Sequence, residues 1–178
     1  MPIRVNSRLT FLASYTLQMW ILRFLMLLAL ILWIGGIIFF AFVLAPTVFS
    51  VLPTTKLAGD VVSVALTKLH WLGLVSGIVF LICSLVYNWQ KHGQFRTFAI
   101  AHIFIVLMLA LTAYSQFGVT QRMRELRSEL QATNNLSGND SRRLEFDRLH
   151  EWSTRLEGGV LLLGLGVAAL TARRFGSS

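Results

Sequence analysis

Residues 20–45, WILRFLMLLALILWIGGIIFFAFVLA, decide the fold, because no charged side chain occurs between Phe24 and Thr55. An apolar helix of about 20 residues crosses the hydrocarbon core of a bilayer, which is about 30 Å thick. The stretch therefore predicts a first membrane-spanning helix. Pro46 lacks the N–H of an interior helix bond, so it is expected to kink or end this helix. Trp33 lies in mid-span, where we expect it to pack between helices.

Three further uncharged stretches follow along the chain, and together they predict an all-α integral membrane protein with four transmembrane helices. The predicted spans are about 20–45, 69–89, 97–118 and 153–172 of a transmembrane domain at 20–172. The fourth span has only 15 uncharged residues, 158–172. To cross the core it must include the preceding turn, which carries Arg155 and Glu157. Residues 1–19 are an N-terminal segment, and residues 173–178 are a C-terminal tail.

The composition excludes several classes of protein. Hydrophobic residues make up 55% of the chain and charged residues 13%, with a mean hydropathy of +0.66. Soluble domains carry about 25% charged residues, so a soluble enzyme, a secreted disulfide scaffold and a disordered chain are excluded. Cys83 is the only cysteine, so no intramolecular disulfide can form. The excess of basic residues indicates membrane topology and contact with a lipid bilayer, and no nucleic-acid partner is expected.

The distribution of charge predicts the orientation. With four spans both termini lie on one side, which carries seven basic residues and no acidic residue. The other side carries nine basic and eight acidic residues, mostly in one long segment, and long loops contribute less to orientation. We therefore expect the termini in the cytoplasm and the chain in the bacterial inner membrane. Arg23, one turn into the first span, is expected to reach cytoplasmic headgroups.

The charged segment 119–152 is expected to form an extramembrane helical hairpin between spans three and four. Its apolar seam is formed by Val119, Met123, Leu126 and Leu130. Residues 134–139, NNLSGN, have the composition of a turn, and Ser141 or its predecessor can cap the returning helix. A solvated antiparallel hairpin is one interpretation. Docking of a membrane-protein partner, or of a second copy in a homo-oligomer, is the other.

A short internal repeat relates the second and fourth spans. Residues 68–73 read KLHWLG, and residues 148–153 read RLHEWS, at an offset of 80 residues. Such an offset is typical of parallel repeats in membrane proteins. The repeat would place His70 and His150 at similar depths on the same side of the membrane.

Three ionisable residues are candidates for chemistry. His70 shares a helix face with Gly73 and Gly77, and His150 shares one with Glu157. If both faces turn inward, the two imidazoles could ligate haem iron, or could bind a transition metal together with Glu157. The alternative is that both histidines are structural hydrogen-bonding groups. Glu157 itself is either a proton or cation site, or a partner of Lys68, Arg122 or Arg155 in an ion pair.

Two stretches resemble a known family. Residues 33–49, WIGGIIFFAFVLAPTVF, and residues 146–153, FDRLHEWS, resemble the first-span and final-span motifs of a bacterial membrane family of unknown function, domain of unknown function 4149. That family is similar to human transmembrane protein 205. The resemblance covers roughly residues 20–172 and implies four membrane helices. In the family an asparagine often stands where this chain has Glu157.

The resemblance also suggests a distant likeness to copper-resistance D-type membrane domains and to haem-dependent four-helix protoporphyrinogen oxidases. Relatives of transmembrane protein 205 are linked to drug and metal resistance, and the resemblance implies no settled biochemical activity.

These observations predict a non-enzymatic membrane protein that binds or helps to move a small cation, a metal or a hydrophobic compound at the mouth of the bundle. The first alternative is a redox protein that holds haem b between His70 and His150. The second is a scaffold or assembly factor that acts through the charged hairpin. No cofactor is assigned; haem b and a transition metal are the candidates.

Overall fold

A computed structural model describes residues 3–92, 99–132 and 141–176, and every regular element within these ranges is helical. The helices are α1 (Ile3–Phe39), α2 (Ala45–Val51), α3 (Thr55–His92), α4 (Ala99–Tyr114), α5 (Thr120–Ala132) and α6 (Ser141–Gly176). One π-helical segment, Phe40–Leu44, joins α1 to α2, and another, Ser115–Val119, joins α4 to α5. The turn predicted at 134–139 lies outside the described residues.

Four helical stretches of the described residues are long and apolar enough to cross a membrane. They are Ser14–Val51, Thr55–Gln90, Ile100–Leu130 and Ser141–Arg173. Large apolar side chains remain exposed along them, for example Phe42, which is 72% exposed. Apolar surface of this extent indicates contact with lipid. The predicted all-α membrane class with four spans is confirmed.

The first span does not end at Pro46. The helix continues through α2 to Val51, and the π-helical segment immediately before the proline accommodates the missing bond. Within it, the Ala45 N–H donates to the Phe40 carbonyl, five residues back, instead of four. Such π-bulges are a recognised response to a disturbed helical ladder.

Residues 53–68, which lie between the first two predicted spans, are mostly helical. After a short turn the Leu57 N–H donates to Thr54 Oγ1 at 3.2 Å, which caps the start of α3. The helix then runs without interruption to His92. The second span is therefore longer than predicted and projects toward the hairpin formed by α5 and α6.

The four long helices close into a ring. Helix α1 packs against α3 and α6, and α4 packs against α3 and α6. Because the chain runs up and down, the ends of α2 and α5 and the starts of α3 and α6 meet on one side, called here the hairpin side. The core includes Leu30, Trp33, Phe80, Ile105 and Val167.

Trp33 is packed against two glycines of α3, which confirms its predicted position between helices. The indole is 2% exposed. A Cβ atom added at Gly73 would lie 2.4 Å from the indole nitrogen, and one added at Gly77 would lie 2.6 Å from the other end of the ring. Both glycines therefore leave room for one rigid aromatic side chain.

We predict that Gly73→Ala lowers the thermal unfolding temperature of the detergent-purified protein. The added methyl overlaps an indole that cannot move, and overpacking of this kind costs about 1–3 kcal/mol. Gly35→Ala is the matched control, because nothing lies within 4 Å of a Cβ added there. The control is expected to be neutral or slightly stabilising. Equal unfolding temperatures for the two variants would contradict this packing.

Candidate functional site

His70 is the centre of a buried polar chain that links three helical elements. Its side chain is 1% exposed. Nδ1 lies 2.8 Å from Gln116 Oε1, and Nε2 lies 2.6 Å from Glu157 Oε1. Both ring nitrogens are thus occupied, as the burial of a polar ring in a membrane-spanning bundle requires.

The geometry restricts where the protons lie. An amide oxygen only accepts, so with Gln116 oriented in this way Nδ1 carries a proton and donates it. The 2.6 Å contact between Nε2 and Glu157 Oε1 is a short hydrogen bond, so a proton lies between the nitrogen and the oxygen. This sharing lowers the cost of a carboxyl group at this depth.

Gln116 owes its position to a local irregularity of the helix. It lies in the π-helical segment between α4 and α5, where the Thr120 N–H donates to the Ser115 carbonyl, five residues back. The side chain of Gln116 is buried. π-Bulges often occur at functional sites. Gln116 was not among the residues predicted from the sequence, although a lone amide at the end of an apolar span is a recognisable signal.

Glu157 pairs with none of the three cations suggested from the sequence. Its partner is His70, whereas Arg122 binds Glu145 at 2.9 Å across the hairpin and Arg155 binds Glu151 at 2.6 Å. The ion-pair alternative was therefore wrong in its partners. The carboxyl group faces the bundle and is 15% exposed.

His150 does not join the buried chain. It is exposed on α6, seven residues before Glu157, which corresponds to about 10 Å of helix. Of the two histidines of the repeat, only His70 belongs to this chain of hydrogen bonds. Among the described residues, no group of three or more His, Cys, Asp and Glu side chains is arranged to hold a metal ion. Metal binding by His70, His150 and Glu157 stays a prediction.

Haem ligation by His70 and His150 also stays a prediction, with one requirement added by the structure. Because Gln116 and Glu157 occupy both nitrogens of the His70 ring, an iron ligand at this residue would have to break one of those hydrogen bonds.

Arg23 and His102 have protein partners near the opposite side of the bundle. Arg23 Nη2 donates to the Tyr87 hydroxyl at 2.7 Å, and contact of Arg23 with headgroups stays a prediction. His102 Nε2 lies 3.1 Å from Ser84 Oγ. Neither pair contacts the His70 chain.

A cavity of about 440 Å³ lies on the hairpin side, and Glu157 forms part of its wall. Volumes of about 300–1,000 Å³ are typical of sites for small molecules. The first π-helical segment contributes Phe40 and Phe42, and α6 contributes Leu161. His150 lies at the outer end, so the cavity contains two of the three residues singled out from the sequence.

The hairpin and the start of α3 enclose the outer end of this cavity. Arg127 donates to Asp60 at 3.1 Å and lies 5.4 Å from the Phe146 ring centroid. Arg124 donates to the Thr67 hydroxyl. These contacts attach α5 to α3, so the hairpin is docked on the bundle along the part of it that the structure describes.

Comparison with known proteins identifies one family. Residues 28–132 match the family described as "Domain of unknown function (DUF4149)". The matched region contains His70 and Gln116, whereas Glu157 lies beyond it. Nothing among curated proteins or solved structures matches the chain. The likeness to human transmembrane protein 205 and to copper-resistance D-type domains stays a prediction.

We predict strong energetic coupling between His70 and Glu157. In a double-mutant cycle of His70→Ala and Glu157→Ala, either single change leaves a buried polar group without its partner. The second change should then cost less than it does alone, with a coupling energy of about 1–3 kcal/mol. Unfolding of the purified protein in detergent measures it.

The exposed pair Glu151 and Arg155 serves as the control cycle, since such helical pairs contribute about 0.5 kcal/mol or less. Additive effects at His70 and Glu157 would show that the two side chains do not interact.

Proposed function

The chain belongs to the family of this domain of unknown function (DUF4149), and from that premise we propose that it is a non-enzymatic membrane protein that binds a small hydrophobic compound in the hairpin-side cavity. The observation that carries the proposal is the cavity itself. It is large enough for a small molecule, and apolar side chains of all four spans or their extensions line it.

Access from the bilayer supports a hydrophobic ligand. Phe42 and Phe49 line the cavity and are themselves strongly exposed on the lipid-facing surface. A compound dissolved in the bilayer would reach the cavity by displacing these rings, without passing through water. A water-soluble ion could not use this route, because it would have to pass through the bilayer to reach these two rings.

The position of the cavity favours binding over transport. Its lining comes from the end of α1, α2, the first part of α3, α5 and the first part of α6, which all lie in the hairpin-side half. The charge distribution predicts cytoplasmic termini, which would place this half in the outer leaflet of a bacterial inner membrane.

Photolabelling with a diazirine-bearing dodecanol tests the proposal. In phosphatidylcholine nanodiscs, wild-type protein is expected to show saturable labelling of cavity residues that unlabelled dodecanol competes away. Gly158→Leu should abolish this labelling, because Gly158 lines the cavity and has open space at its Cβ position. The larger side chain would occupy the volume of the ligand.

Gly35→Leu is the matched control, since Gly35 also has open space at its Cβ position but does not line the cavity. It should be labelled like wild type. Labelling that is non-saturable, or equal in both leucine variants, would refute binding in the cavity.

A further inference from the structure

We propose that the ligand of this cavity is a single-chain amphiphile with an anionic headgroup, a carboxylate or a phosphate, and that Arg124 binds the headgroup. The inference rests on the proposed function and specifies the chemical class of the ligand. It derives from the order of polarity along the cavity and from the balance of its charges.

Polarity changes in one direction along the cavity. The outer end, toward the hairpin, is lined by Arg124, Arg127 and His150. The inner end, toward the middle of the bundle, is lined by Ile37 and Leu161. An amphiphile in the adjacent leaflet has the same arrangement, with its headgroup at the interface and its chain toward the bilayer centre. It can therefore enter without turning over.

Two of the three charged side chains that line the cavity, Arg127 and Glu157, already have partners within the protein. Asp60 lies 3.1 Å from Arg127 and neutralises it. Glu157 Oε1 lies 2.6 Å from His70 Nε2, so a protein partner already binds this carboxyl group. An anionic ligand therefore meets less repulsion than an unpaired carboxylate beside its chain would exert.

Arg124 supplies the remaining positive charge. Within the described residues its hydrogen bond goes to the Thr67 hydroxyl, which is neutral, and no carboxylate neutralises it there. A guanidinium presents several N–H donors in a planar fork, which suits the two oxygens of a carboxylate or phosphate. Thr67 holds the guanidinium at the cavity and leaves other donors for a ligand.

The test compares headgroups on one chain. Dodecanoic acid, dodecyl phosphate, dodecanol and dodecylamine compete against the diazirine-bearing dodecanol in phosphatidylcholine nanodiscs. We expect one or both anions to compete at about tenfold lower concentration than dodecanol, because a hydrogen bond to a charged group is stronger than one between neutral groups. Dodecylamine should be the weakest. The better of the two anions then identifies the headgroup.

Variants separate the charge of Arg124 from its structural contact. Arg124→Gln should remove the preference for anions, so that dodecanoic acid and dodecyl phosphate compete in that variant no better than dodecanol does in the same variant. Arg124→Lys should retain most of the preference, and so should Thr67→Ala, which loses the hydrogen bond but keeps the cation. Arg155→Gln is the matched control, since Arg155 is exposed on α6 and does not line the cavity.

The outcomes distinguish the two proposals. Saturable dodecanol labelling with no preference for anions, or with a preference that survives Arg124→Gln, overturns the anionic headgroup and leaves the binding function intact. Tighter competition by dodecylamine also overturns it, and would assign the headgroup to Glu157. Absence of saturable labelling by any probe overturns both proposals together.

Discussion

The hairpin side of this bundle depends on hydrogen-bond partners for one buried histidine, His70. In a membrane-spanning bundle no water is available to satisfy a polar ring, so both nitrogens of His70 need partners from the protein. Gln116 and Glu157 provide them at 2.8 and 2.6 Å. This requirement joins α3 to the second π-helical segment and to α6. It also holds a carboxyl group within the bundle, where an unpaired charge would be costly.

The cavity depends on features that weaken regular helical packing. Pro46 is accompanied by a π-helical segment, and that segment places Phe40 and Phe42 along the cavity wall. On the other side, α5 is held by Arg127 and Arg124 against the start of α3. The hairpin therefore covers the cavity as well as extending into water. The sequence predicted that the charged hairpin is solvated, whereas in the structure it also covers the cavity.

Much of the architecture could be predicted from the sequence, because an uncharged stretch of about 20 residues forms a helix in a bilayer. Long uncharged stretches predicted four helices, and the apolar spacing after residue 119 predicted the helix α5 that packs on α6. His70 and Glu157 were recognisable because ionisable residues in such stretches need a reason to be there. The second span was predicted to begin only at residue 69, because the charges within residues 55–68 interrupt the apolar stretch, whereas α3 begins at Thr55. Gln116 was missed because the candidate residues were identified by their ionisable side chains, and an amide is uncharged.

The sequence by itself determined the class of protein, since burial of backbone polar groups in lipid leaves only helices for stretches of this composition. It also supplied His70, His150 and Glu157 as candidate residues, but not Gln116. Only the tertiary structure decided which of them meet. Glu157 reaches His70 across 87 positions of the chain, whereas His150, on the same helix, remains exposed at the cavity. The reason is that such pairing depends on the rotation and relative height of whole helices. Those are set by side-chain packing such as that of Trp33 on Gly73 and Gly77, which hydropathy along the chain does not encode.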